Sequence, residues 1–155
     1  MPLVLDLVRH GEAEPAGAGG DRARRLTASG ISSVGSLAAR LVASGSTPTR
    51  VFSSPRERAV HSARILAAFI SPDPGLELID ELEPGGDPTA VLAALTERGV
   101  VSGHAMLVGH LPLLDHLYQL LTGAEGAFPV ASLHRIVFVG GAQSWHGRQV
   151  LSLRS

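Results

Sequence analysis

Leu3-Val4-Leu5-Asp6-Leu7-Val8-Arg9-His10-Gly11-Glu12 is the stretch on which the fold turns. A short, mostly aliphatic run (residues 3–8) stops at a polar trio, which is the pattern of a buried strand running into a loop. Two later segments repeat it: Arg50-Val51-Phe52-Ser53 stops at Ser54-Pro55, and Ala105-Met106-Leu107-Val108 stops at Gly109-His110. Longer amphipathic or alanine-rich stretches separate them. Ile31, Val34, Leu37, Ala38 and Leu41 recur at helical spacing behind Thr27 or Ser29, either of which can serve as an N-cap. Ala59, Ala63, Leu66, Ala67 and Ile70 form the apolar side of a second helix, with Ser54 expected as its cap and Pro55 at its first position. Beyond the Pro72-Asp73-Pro74-Gly75 turn come a brief strand at 76–79 and a helix at 88–98 closed by Gly99. Another helix starts at Pro112 and runs through Leu121 to a stop at Gly123. Residues 133–139 and 149–153 read as a hairpin at the sheet edge. Short apolar runs alternating with helices predict an α/β fold: one three-layer α/β/α domain over residues 1–155, mainly parallel, with an antiparallel edge hairpin.

Composition narrows the function classes. The chain has 155 residues, 45% of them hydrophobic, enough for one domain with a sizeable core. A formal net charge of −1 provides no basic field for a nucleic-acid backbone, so no nucleic-acid partner is expected. Without cysteine there is neither a disulfide framework nor a thiolate zinc site. No basic leader segment opens the chain, and no apolar run approaches the roughly 20 residues that span a bilayer, so a cytoplasmic protein with no membrane partner is expected.

Three strand ends carry polar residues of one chemical kind: Arg9-His10-Gly11, then Ser54-Pro55 followed by Arg56 and Arg58, then Gly109-His110. Ligands of parallel sheets bind at the carboxyl ends of the strands. If these three strands are neighbours, two histidines and at least two arginines converge beside helix N-termini, where backbone N–H groups favour an anion. Phosphate is the natural ligand. An arginine fork grips two phosphate oxygens, and a neutral imidazole beside it can attack phosphorus in line with the leaving group. Nearby guanidinium charge also disfavours imidazolium and keeps His10 neutral.

Other residues read as structure. Arg56 is taken as a solvated helix-face charge. His104, His110 and His116 recur every six residues, a spacing that puts them on different faces of a helix, so metal binding is not expected. Residues 17–20, Gly-Ala-Gly-Gly, lack the Lys-Ser/Thr of a phosphate-binding loop and read as a flexible connection. Ser53 and Ser54 lack the context of a nucleophile elbow.

Four ordered motifs resemble the histidine phosphatase superfamily, the phosphoglycerate mutase-like group. They are Arg9-His10-Gly11, Leu26-Thr27-Ala28-Ser29-Gly30, Ser54-Pro55-Arg56-Glu57-Arg58-Ala59 and Val108-Gly109-His110. Arg24-Arg25-Leu26-Thr27 and Glu81-Leu82-Glu83-Pro84-Gly85-Gly86-Asp87 are similar to stretches of its SixA-like phosphohistidine phosphatases. The resemblance implies that His10 is the nucleophile, that Arg9, Arg58 and His110 hold the phosphoryl group, and that no metal or other cofactor is needed. It places Arg24 near the pocket, with Arg22 and Arg25 as alternatives, and Glu81 in the position of a proton donor, with Glu83 as the backup.

Little chain between Arg58 and His110 is left for a lid, and an uncapped site admits a protein side chain. The expected activity is therefore hydrolysis of phosphohistidine in a phosphorylated protein, such as a histidine-containing phosphotransfer domain, through a phospho-His10 intermediate. The alternatives are a broad phosphatase of small phosphate esters and a non-catalytic phosphate-recognising module.

Overall fold

The computed structural model describes residues 1–155. Its elements follow the order β1 (Leu3–Arg9), α1 (Ala28–Ala43), β2 (Arg50–Ser53), α2 (Glu57–Ala68), β3 (Glu77–Leu78), α3 (Pro88–Glu97), β4 (Gly103–Gly109), α4 (Leu113–Thr122), β5 (Ser132–Phe138) and β6 (Arg148–Arg154). One six-stranded sheet has the order β3-β2-β4-β1-β5-β6. The first four of these strands run parallel, while β5 is antiparallel to β1 and β6 antiparallel to β5. The expected three layers and edge hairpin are both present.

Alternation along β1 explains the layers, because successive strand side chains point to opposite faces. Leu3, Leu5 and Leu7 pack with Phe52, Leu107 and Ile136 against α3 and α4, represented by Leu95, Leu117 and Leu121. Val8 packs on the other face with Val51, Met106 and Val108 against Leu37 and Leu41 of α1 and Ala63 and Leu66 of α2. Asp6 shares that second face and is fully buried, accepting hydrogen bonds from Arg135 Nε at 2.7 Å and Arg135 Nη2 at 3.0 Å. His104 Nε2 lies 2.7 Å from the same carboxylate.

Local chemistry sets the helix ends. The Thr27 hydroxyl accepts the Gly30 N–H at 2.9 Å, so Thr27, not Ser29, caps α1. Asp87 caps α3 through the Thr89 N–H with Pro88 at the first turn, and Gly123 ends α4 in the left-handed conformation. The expectation for α2 is corrected: the helix starts at Glu57 with Arg56 at its cap position and no side-chain cap. Ser54 is used elsewhere, as described below.

Gly30 shows why the Leu-Thr-x-x-Gly segment ends in glycine. A Cβ there would lie 2.2 Å from the Glu12 carbonyl oxygen, so α1 can approach the loop after β1 only with no side chain at this point. Thr27 N–H donates to the same carbonyl at 3.0 Å. The first turn of α1 is thereby fixed against the residues that follow His10.

Candidate active site

Strand register brings the motifs together. Arg9 pairs with Gly109 and Ser53 with Val108, so β1, β4 and β2 end nearly level. Backbone bonds continue past the strands: His10 N–H donates to Gly109 O at 3.3 Å, and Ser54 N–H to Val108 O at 3.0 Å. His10 and His110 therefore face each other with ring centroids 4.9 Å apart. Arg9, His10, Arg24, Arg58 and His110, with Glu12, line a cavity of about 340 Å³. A larger groove of about 670 Å³, lined in part by Arg25, Ile31, His61 and Leu78, contains neither of these two histidines.

The hydrogen bonds fix which nitrogen of His10 keeps a lone pair. Nδ1 lies 2.7 Å from the Gly11 carbonyl oxygen, which can only accept, so Nδ1 carries the proton and Nε2 keeps its lone pair. Arg58 Nε donates towards Nε2 at 3.3 Å. Burial is the main cause that lowers the His10 pKa to about 4; its bond to Gly11 works the other way, and the charges of Arg58, Arg9 and Arg24 lower it further. His110 is also pushed down, first by burial and then by His10, Arg58 and Arg56.

This has a pH consequence. The neutral form of His10 persists well below the ordinary histidine pKa, so, if His10 attacks phosphorus, kcat/KM should hold its plateau down to about pH 5 and fall only as His10 protonates near 4. A pH–rate profile with an acid limb at 6.5 would contradict the assignment. Because both histidines resist protonation when folded and accept it when unfolded, stability is lost as pH falls below about 6.5.

The Ser54 hydroxyl accepts the Arg56 N–H at 3.2 Å and lies 2.8 Å from His110 Nε2. His110 Nε2 is the one acceptor within reach of the hydroxyl's own proton, so the proton goes to Nε2 and His110 Nδ1 becomes the N–H donor. Nδ1 has no partner within the protein, and neither has Arg9 Nε; both are buried atoms of cavity-lining residues. Buried polar groups are nearly always paired, and two unpaired donors beside His10 suit the oxygens of an anion. Arg9 is anchored by Nη1 donating to Phe128 O at 2.9 Å.

Ser62, which the sequence reading passed over, joins the loop to the helix. Fully buried, it accepts the Gly11 N–H at 3.0 Å and donates to the Arg58 carbonyl at 2.7 Å. Its one sequence signal is a hydroxyl one turn after Arg58 on the apolar side of α2. Ser62→Ala leaves the Gly11 N–H unsatisfied and should cost about 1–3 kcal/mol. Thermal melts should show that loss, and kcat/KM should fall with it.

The remaining candidates separate clearly. Arg24 lines the cavity, held by Nε donating to Glu14 O at 2.7 Å, whereas Arg22 pairs with Glu83 and Arg25 with Glu57. Arg56 is no solvated charge: it pairs with both Glu83 and Asp21. Neither Glu81 nor Glu83 lines the cavity. Glu81 belongs to a 3-10 turn, Asp80–Leu82, whose Leu82 is driven into the core and whose Glu81 carbonyl packs against Gly86. Glu83 is engaged by Arg22 and Arg56, and the lining carboxylate is Glu12. The three regularly spaced histidines end apart: His104 against Asp6, His110 in the cavity and His116 exposed.

Residues 5–83 match the description of the histidine phosphatase superfamily (branch 1). The chain belongs to this superfamily. A histidine phosphatase fold recurs in solved structures across nearly the whole length. The protein histidine phosphatase SixA in complex with tungstate is 26% identical, with a TM-score of 0.85 over 97% of this chain and 96% of that one. SixA from Agrobacterium tumefaciens is 21% identical, with a TM-score of 0.81 over 98% and 97%. A phosphoserine phosphatase mutant from Entamoeba histolytica bound to phosphoserine is 14% identical, with a TM-score of 0.71 over 97% and 96%. No curated protein matches the sequence. No helix of this histidine phosphatase is long and apolar enough to cross a membrane.

Proposed function

We propose that this histidine phosphatase hydrolyses phosphohistidine in proteins through a phospho-His10 intermediate. The observation that carries the reading is the unprotonated Nε2 of His10 beside Arg58 Nε at 3.3 Å, in a cavity whose other donors are Arg9, Arg24 and His110. In the first step Nε2 attacks phosphorus as the bond to the substrate's nitrogen breaks, and the leaving imidazole takes up a proton. The Nδ1–H bond to Gly11 O steadies the positive charge that His10 then carries. The guanidinium groups and His110 spread the charge of the equatorial oxygens. In the second step water attacks phosphorus, Nε2 departs, and inorganic phosphate is released.

A protein substrate is supported by the likeness to SixA, a protein histidine phosphatase 26% identical to this chain, whose bound tungstate is an oxyanion of phosphate-like shape. It also fits a site with no carboxylic acid from the Asp80–Leu82 turn in its lining, because a protonated imidazole leaves more readily than an alkoxide. The second reading, a phosphatase of small esters, is favoured by the same fold in the phosphoserine phosphatase.

The deciding experiment measures phosphate release from a phosphotransfer domain phosphorylated on histidine and from p-nitrophenyl phosphate, in buffer containing chelator. Preference for the phosphoprotein supports the proposal, preference for the ester transfers it to small substrates, and release from neither overturns it.

A further inference from the structure

Asp21 plays no part in the steps just described, yet it stands at the centre of the site's positive charge. It opens the 3-10 turn Asp21–Ala23 directly after Gly20, whose φ of 75° favours glycine. Its Oδ1 accepts from Arg24 Nη1 at 3.1 Å. Its Oδ2 accepts from Arg58 Nη2 at 3.2 Å and from Arg56 Nη1. Arg58 Nη1 donates to the Asp21 carbonyl at 2.9 Å. Both terminal nitrogens of Arg58 are thus engaged by one residue, and only Nε faces His10.

Partial burial would raise the Asp21 carboxyl, but the hydrogen bond from Arg24 and the charges of Arg58 and Arg56 overcome it and hold the pKa at about 2. Asp21 is an anion throughout the working pH range. A carboxylate clasped by three guanidinium groups takes the contacts that phosphate oxygens would take. Two of those arginines, Arg24 and Arg58, line the cavity at His10, so incoming phosphate and the carboxylate draw on the same guanidinium groups.

We propose that Asp21 is an internal competitor for phosphate, whose carboxylate shares Arg24 and Arg58 with the bound oxyanion and so weakens the hold on product and speeds its release. The inference rests on the phosphatase reading, because it needs phosphate as the product in this cavity. The chemistry calls for such a device. Arginines that stabilise a transferring phosphoryl group also bind free phosphate, and binding that is equal in product and transition state slows turnover once release limits it.

The test compares inhibition by inorganic phosphate and tungstate in wild type, Asp21→Asn and Asp21→Glu, using p-nitrophenyl phosphate hydrolysis, with calorimetric binding alongside. Asp21→Asn keeps the shape and removes the charge, so both oxyanions should bind about tenfold more tightly at low ionic strength. The gain should shrink at about 0.5 M salt, where charges are screened within a few ångströms. Asp21→Glu keeps the anion and should stay close to wild type. If Asp21 only props Arg58, removing the charge frees the guanidinium, and oxyanion binding stays equal or weakens; either result overturns the proposal. Should Asp21→Asn fail to fold by circular dichroism, Asp21→Ser removes the same charge and must show the same tightening. A wild type that binds neither oxyanion and hydrolyses nothing would instead overturn the phosphatase reading, and the inference with it.

Discussion

His10→Ala should lower phosphate release by on the order of 10⁴-fold or more, because the bond-forming atom itself is removed. Arg9, Arg24, Arg58 and His110 remain to bind the oxyanion, so tungstate affinity should survive while turnover does not. The fold should survive as well. The backbone bonds that hold this position, His10 N–H to Gly109 O and Ala131 N–H to His10 O at 3.0 Å, do not involve the imidazole. Rapid quenching should trap an acid-labile, alkali-stable phosphoenzyme in wild type and none in the variant. Retention of more than about 1% of the activity by a pure variant would show that some other group attacks phosphorus.

Asp6→Ala should be the most damaging single change to stability. The carboxylate has no exposure and answers Arg135, which is itself 6% exposed, from the middle of β1. Arg135 Nη2 also donates to Ser46 O at 2.9 Å, tying the chain after α1 to the sheet. Removing Asp6 leaves a buried guanidinium without its counter-ion, a loss of about 3–5 kcal/mol. For a domain of this size that lowers the melting temperature by roughly 10 °C. Replacing both partners with apolar residues, as in Asp6→Leu with Arg135→Met, should restore much of the loss, since no uncompensated charge then remains. A measured cost below about 1 kcal/mol for Asp6→Ala would contradict this account. Because the pair lies away from the cavity, kcat at a temperature well below melting should change little.

These two residues also mark what could be read from sequence. His10 is legible because it directly follows a strand, and strand ends, helical spacing, Thr27 and the glycine stops are local signals. The same signals place β2, the edge hairpin and the meeting of three strand ends. Asp6 is not legible, since a lone acid in an aliphatic run has meaning only beside Arg135, at the far end of the chain. Ser54 is half legible for a related reason: its place before Pro55 suits a cap and it does accept the Arg56 N–H, but its second partner, His110, follows a strand distant in sequence. Arg56 and Asp21 define each other across the fold, so neither can be recognised alone. Glu81 matched a motif, yet the turn that carries it spends its packing on Leu82 rather than on reaching the cavity.

The two borders of the sheet affect how the molecule behaves in a crowded solution. One border is β3, only two residues long, too short to template another chain. The other is β6, a seven-residue strand whose outer backbone groups face no neighbour in the sheet. Arginines stand at both of its ends, Arg148 and Arg154, where a second strand attempting to add on would have to bury their charge. Long-range strand pairing assembles slowly and leaves unpaired edges open to self-association meanwhile. The arginines at the ends of β6 therefore differ in setting from those around His10: they put charge where a second copy of the chain would have to pair with the sheet.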